Sequence, residues 1–166
     1  MKSSPKEETI HLLEERLRGH HLEAMMTLAI VTGMRRDELR QLTWAEIDLA
    51  THELRVLNSK TRRDVRLIHA SEACTSLLKQ HLLRQIEMRS EAGTVWSPHD
   101  LVFPDQTGEL LSPERFVEAW SALLKQAGIS SLRFHALRVR VWHRLLEEQK
   151  SMQNGPLERN KNTDEC

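Results

Sequence analysis

No tyrosine occurs anywhere in the chain, and aromatic residues as a class make up only 4% of it. No phenolic hydroxyl is therefore available to any site. Cysteine is nearly as scarce: Cys74 and Cys166 lie far apart and neither belongs to a CxxC. That excludes a disulfide framework and makes a reducing, cytoplasmic setting the expectation. No apolar stretch approaches the roughly 20 residues needed to cross a bilayer, so no membrane partner is expected. The start, MKSSPKEET, has no hydrophobic segment behind a basic one and does not read as a signal peptide. Neither sign of charge dominates, because 24 basic residues face 24 acidic ones. Taken alone, that balance argues against a dedicated nucleic-acid binder.

The charge is nevertheless sorted along the chain. Arg55, Lys60, Arg62, Arg63 and Arg66 are opposed only by Asp64 within residues 55–66, and residues 133–144 hold four arginines and no acid. Residues 145–166 carry five acids against three bases. Such sorting suits a local anion site. Histidines offer no metal site: His20 and His21 are adjacent, His52 and His69 lie elsewhere, and none has cysteine partners at zinc spacing.

At 166 residues, 39% apolar and 29% charged, the chain reads as one soluble domain over 1–150. A tail from Ser151 without periodicity is expected to be disordered. A helix is predicted after Pro5, with Ile10, Leu13 and Leu17 on one face, and a second over Leu22–Val31 ended by Thr32-Gly33. Leu39 and Leu42 continue a short helix. The period then drops to two at Ile47/Leu49, Leu54/Val56 and Val65/Leu67, which predicts three short antiparallel strands, the last two joined by a hairpin around Asn58–Arg63. A long helix over Ser71–Ala92 is expected to carry Leu78, Leu82 and Ile86 in register. Gly93–Gly108 reads as mostly loop. Ser112-Pro113-Glu114 is a strong helix start, and that helix runs to Gly128. A last helix begins near His135 and offers Leu137, Val141 and Leu145 to the core. Trp44, Trp120 and Trp142 sit on apolar faces. The fold class is α+β, mainly helical, with helices packed around a small three-stranded antiparallel sheet.

Four features could carry chemistry. Arg35 follows a helix-ending glycine, with Glu38 one turn on. Lys60 lies at the tip or edge of the hairpin, and His135 and Arg138 project from one side of the last helix. Guanidinium groups hold phosphate oxygens with fixed, paired hydrogen bonds and keep their charge. Lysine can give a proton to a leaving alkoxide, and histidine can donate or accept near neutrality. Together they suit displacement at a phosphodiester, with no cofactor required.

Three segments carry a resemblance. VTGMRRDELRQLTWAEIDL (31–49) resembles the first conserved box of the tyrosine recombinases, the phage integrase family. SKTRRDVRLI (59–68) resembles their β-hairpin with its lysine, and FHALR (134–138) the start of their second box. The segment from Leu101 to Ile129 resembles the usual spacer. The resemblance covers about Leu22–Leu146. It implies the fold of the DNA breaking-rejoining catalytic domain, a double-stranded DNA partner, other recombinase protomers, and a role in DNA integration and recombination. Arg35 and Arg138 would clamp the scissile phosphate, Lys60 would protonate the leaving 5′-oxygen, His135 would assist, and Glu38 would orient Arg35. Arg36, Arg62 and Arg63 are candidates for further phosphate contacts, although Arg36 and Arg40 also read as solvated helix charges.

The departures are as specific. The family's nucleophilic tyrosine and the LLGH-like box before it are missing, and the resemblance stops at Val139. Ser151, Thr163 and Cys166 are the nucleophilic side chains near the tail, and nothing in the sequence positions or activates them. The expectation is a catalytic-domain piece, truncated or frame-shifted before its tyrosine, that binds DNA without cleaving it alone. A non-enzymatic module that pairs with an intact recombinase, and a relic without a selected role, are the alternatives.

Overall fold

A computed structural model of the chain describes residues 6–139 except 59 and 62, together with 147, 150 and 151. Helix α1 (Glu7–Leu17) buries Leu13 and Leu17 and carries Glu7 and Glu8 in its first turn, where acids suit the helix dipole. Helix α2 (Glu23–Thr32) buries six of its ten residues, as a helix surrounded by others must. It packs against α1, the short α3 (Arg36–Gln41) and the long α4 (Glu72–Ala92). Ser71 caps α4 by accepting the Cys74 N–H at 3.2 Å. Helix α5 (Pro113–Gln126) starts as its sequence predicts, with Ser112 accepting the Arg115 N–H at 3.2 Å. A further helical segment begins at residues 134–139.

Between α3 and α4 runs an antiparallel sheet in the order β1 (Ile47–Asp48), β2 (Glu53–Leu57), β3 (Val65–His69). In β2, Leu54 and Val56 face the core at 0% and 2% exposure. Their register partners on β3 are Ile68 and Arg66. Val65 and Leu67, whose alternation first suggested β3, are instead 58% and 51% exposed. The strand is where the period-two pattern put it, but its inward parity belongs to Arg66 and Ile68.

Two further expectations are corrected. Along α4, Leu78 is buried but Ile86 is 55% exposed, and the inner position is taken by Gln85. Steps of four turn the face by about 40° each, whereas the seven-residue step from Leu78 to Gln85 returns to within about 20°. Gln85 is wanted there because Trp44 Nε1–H donates to its Oε1 at 2.6 Å while its Nε2–H donates to Leu101 O at 2.8 Å. Arg40, read as a solvated charge, is buried: its Nη1 donates to Asp37 Oδ1 at 2.7 Å and its Nε to the Leu111 carbonyl.

The loop after α4 is tied down rather than free. Residue 102 donates its N–H to Leu42 O at 2.9 Å, and Trp44 N–H donates to Asp100 O at 2.9 Å. Asp105 closes the turn beyond it, accepting from Thr107 and Glu109. Gly108, at φ +80°, lies against Trp96, and a Cβ there would sit 2.8 Å from Ser97 O. Trp142, Val141, Leu145, Arg62 and the tail beyond Ser151 lie outside the described residues.

Candidate phosphate-binding site

The site is assembled from three chain segments that meet at helix ends. The first is the joint between α2 and α3. Gly33 ends α2 in the left-handed region at φ +66°, its N–H donating to Ala29 O at 3.0 Å. Only glycine adopts that conformation without strain. Met34, fully buried, pins the next residue to the core, so Arg35 emerges at a fixed point as the N-cap of α3. An arginine side chain has no acceptor to offer a helix start. Glu38 serves instead, its Oε2 accepting the Arg35 backbone N–H at 2.7 Å.

The second segment is the β2–β3 connection. Asn58 N–H donates to Asp64 O at 3.0 Å, and Asn58 Oδ1 accepts the Lys60 N–H at 3.0 Å. The turn thereby presents the Lys60 side chain to solvent. The third is the stretch before residues 134–139. Trp120 Nε1–H donates to Leu132 O at 2.8 Å, and Phe134 packs edge-on against Phe116 and Trp120 with ring centroids 5.0 and 5.5 Å away. Leu137 is buried at 2%. With Phe134 and Leu137 held inward, His135 and Arg138 face out of the core.

These segments converge. Arg35, Lys60, His135 and Arg138 line one open cleft of about 480 Å³, with Met34, Arg36, Asp37 and Phe134 completing its walls. Arg138 Nε donates to Gly33 O at 2.9 Å, which ties the third segment to the first. That bond leaves both terminal nitrogens of Arg138 without a hydrogen-bond partner among the described residues. The Arg35 guanidinium likewise has none. Burial, and then the positive charges of Arg35 and Arg66, hold the Arg138 pKa below the usual guanidinium range, with Glu38 opposing them. A guanidinium stays protonated regardless. Unpaired, mutually repelling cations around a cleft form a receptor for an anion.

The other candidates divide. Arg36 reaches the cleft but directs its Nε to Asp37 Oδ1 at 3.3 Å. Asp37 would be raised by its own burial, yet the Arg40 hydrogen bond and the Arg36 charge outweigh that and hold its carboxyl below the ordinary range. Arg63 is exposed on the hairpin and does not line the cleft. Among the described residues, no group of three or more His, Cys, Asp or Glu could hold a metal ion, and no helix is long and apolar enough to cross a membrane.

One residue was missed. Arg66 donates from Nη2 to Glu38 Oε2 at 3.2 Å and lines an adjoining hollow with Arg35 and Glu38. The signal was its inward parity on β3, opposite the buried Val56.

Comparison with known proteins shows the family and the fold. A family model described as the phage integrase family matches residues 5–154. The chain is 29% identical over 157 aligned residues to a tyrosine recombinase XerC-like protein of Caldanaerobacter subterraneus subsp. tengcongensis, covering 80% of this chain and 40% of that one. Among solved structures, the XerA recombinase superposes with a TM-score of 0.76 at 21% identity, covering 89% of this chain and 52% of its own. The Tn1549 transposon integrase in complex with transposon right end DNA superposes with a TM-score of 0.72 at 18% identity, covering 92% and 57%. At those identities the likeness shows the fold. The chain spans about half the length of these structures and 40% of the curated relative.

Proposed function

This chain belongs to the phage integrase family, and from that premise we propose that it grips the backbone of double-stranded DNA as the phosphate-binding half of a site-specific recombinase active site. The observation that carries the reading is the cleft that Arg35, Lys60, His135 and Arg138 share, with the Arg35 guanidinium unpaired among the described residues. Arg35 and Arg138 hold the non-bridging oxygens of one phosphate, where charge builds as phosphorus is attacked. Once a phenolic oxygen from another recombinase protomer bonds to phosphorus, Lys60 gives its proton to the departing 5′-oxygen, and His135 assists that transfer. Glu38 fixes the Arg35 backbone and does not react. Arg36, Arg62 and Arg63 add contacts to neighbouring phosphates. Such a protein works in the cytoplasm, beside its DNA.

None of these 166 residues is a tyrosine. Within them the reaction stops at the bound phosphate, and a phenolic hydroxyl has to come from outside them, as from another recombinase protomer. A labelled duplex titrated with the chain at rising salt, then resolved under denaturing conditions, tests this. Salt-sensitive binding without a covalent adduct is expected, because neutralised phosphates release counterions. A covalent adduct formed by the chain alone, or no binding at low salt, would refute the proposal.

A further inference from the structure

Glu38 is the acid inside the arginine cluster, and its side chain is only 2% exposed. A carboxylate that deep requires a charged or hydrogen-bonded partner. Three guanidinium groups could serve. Arg35, three residues earlier, caps the same helix, Arg138 stands near enough for the two charges to act on each other, and Arg66 reaches across from β3. The observed partner is Arg66, at 3.2 Å, while Arg35 contributes only its backbone N–H to the same oxygen.

Resting on the DNA-binding reading above, we infer that Arg66 is a positioning residue: by occupying the Glu38 carboxylate it keeps the Arg35 guanidinium free for phosphate. Glu38 has to be present to start α3, because Arg35 cannot cap its own helix. Its negative charge is therefore an unavoidable rival to the DNA phosphate for the Arg35 side chain. Arg66 neutralises that rival from the far side. Its inward parity on β3 delivers it to Glu38, and it stays outside the lining of the cleft that Lys60 and His135 share. Without Arg66, the buried carboxylate is left to the two arginines of the cleft, Arg35 and Arg138. A low-dielectric pair with Arg35 has to be broken before Arg35 can receive a phosphate. The population with Arg35 available falls, and apparent affinity falls by the same fraction.

The test compares Arg66→Gln with the double variant Arg66→Gln/Glu38→Gln, using a mixed-sequence DNA duplex and the full chain. A glutamine at 38 still accepts the Arg35 N–H but does not attract its guanidinium. Arg66→Gln is expected to weaken binding by about tenfold, the loss that follows if one molecule in ten keeps Arg35 available. The double variant is expected to recover most of that loss, and the Arg35 side-chain NMR signals are expected to shift in the single variant and return in the double. If the double variant binds as poorly as Arg66→Gln, Arg66 touches DNA directly and the inference falls. If Arg66→Gln binds like the wild type, the inference falls while the DNA-binding reading stands. If the wild type itself does not bind, both fall. Should Arg66→Gln not fold, the double variant, which carries no buried unpaired charge, decides alone: near wild-type binding is expected, and a tenfold loss overturns the inference.

Discussion

Two regions of this molecule bury polar side chains, and they treat them in opposite ways. Between α4 and residues 100–103, Gln85 bridges Trp44 to Leu101, and His81 Nε2–H donates to Val102 O at 2.6 Å beside Trp44 and Phe103. Arg40 is similarly consumed by Asp37 and Leu111. Polar groups there complete one another, apart from Arg84 Nη2, a buried nitrogen without a hydrogen-bond partner among the described residues. At the α2–α3 joint, by contrast, Arg35 and Arg138 leave their terminal nitrogens open toward a cleft and repel one another. A satisfied polar group explains itself by the fold. An unsatisfied and mutually repelling one points outward, to a ligand.

Substitutions can sharpen or break that contrast. The largest effect is expected at Gln85→Leu, which strands both the Trp44 N–H and the Leu101 carbonyl and should cost about 3 kcal/mol of folding stability at 1–3 kcal/mol per orphaned group. Denaturant unfolding measures it, and affinity for DNA per folded molecule should not change. Arg138→Ala should do the reverse. It should lose about 2 kcal/mol of duplex binding, the worth of a charge-assisted hydrogen bond to phosphate. Its melting temperature should change little, because relief of the repulsion with Arg35 and Arg66 offsets the lost hydrogen bond to Gly33 O. Equal damage to stability and binding at either position would erase the distinction. Arg36→Ala, whose guanidinium is already engaged by Asp37, should change binding by about 0.5 kcal/mol or less.

The smallest effect concerns pH. Burial lowers the His81 pKa below its ordinary 6.5, the Val102 carbonyl opposes this, and the Arg84 charge adds to the lowering. The fold thus favours neutral His81, and the unfolded chain takes the proton first. Stability from this source is complete above 6.5 and declines as pH falls through the lower folded value. His21, lowered by burial and by stacked His20, contributes in the same sense. Melting curves should show a gradual loss toward acid that His81→Gln reduces without abolishing. A flat profile would contradict the buried character of that region.

How much of this the sequence made legible follows from the range over which each feature is determined. The strong helix starts and the sheet were readable, because caps and turns are set by near neighbours. The pairing of Arg35 and Lys60 with His135 and Arg138 across some hundred residues rested instead on the resemblance of three separated segments and on no local rule. Arg40 and Gln85 were not readable. Arg40 is buried because a carbonyl 71 residues away accepts its proton, and Gln85 because Trp44, 41 residues away, needs an acceptor. Arg66 failed for a smaller reason. Two apolar neighbours, Val65 and Leu67, drew the inward face to the wrong parity, and a one-residue error on a strand exchanges every side chain between faces.

The central claim is that Arg35 and Arg138 receive one and the same phosphate. A double-mutant cycle with Arg35→Ala, Arg138→Ala and their combination, measured by duplex binding across a salt series, tests it most directly. If they share a phosphate, the double variant should lose far less affinity than the sum of the single losses. The slope of log K against log salt should then become shallower by about 0.9, the share of a single neutralised phosphate. Additive losses, with a slope that falls by about twice that amount, would mean that the two arginines hold separate phosphates and that the cleft is not a single anion receptor.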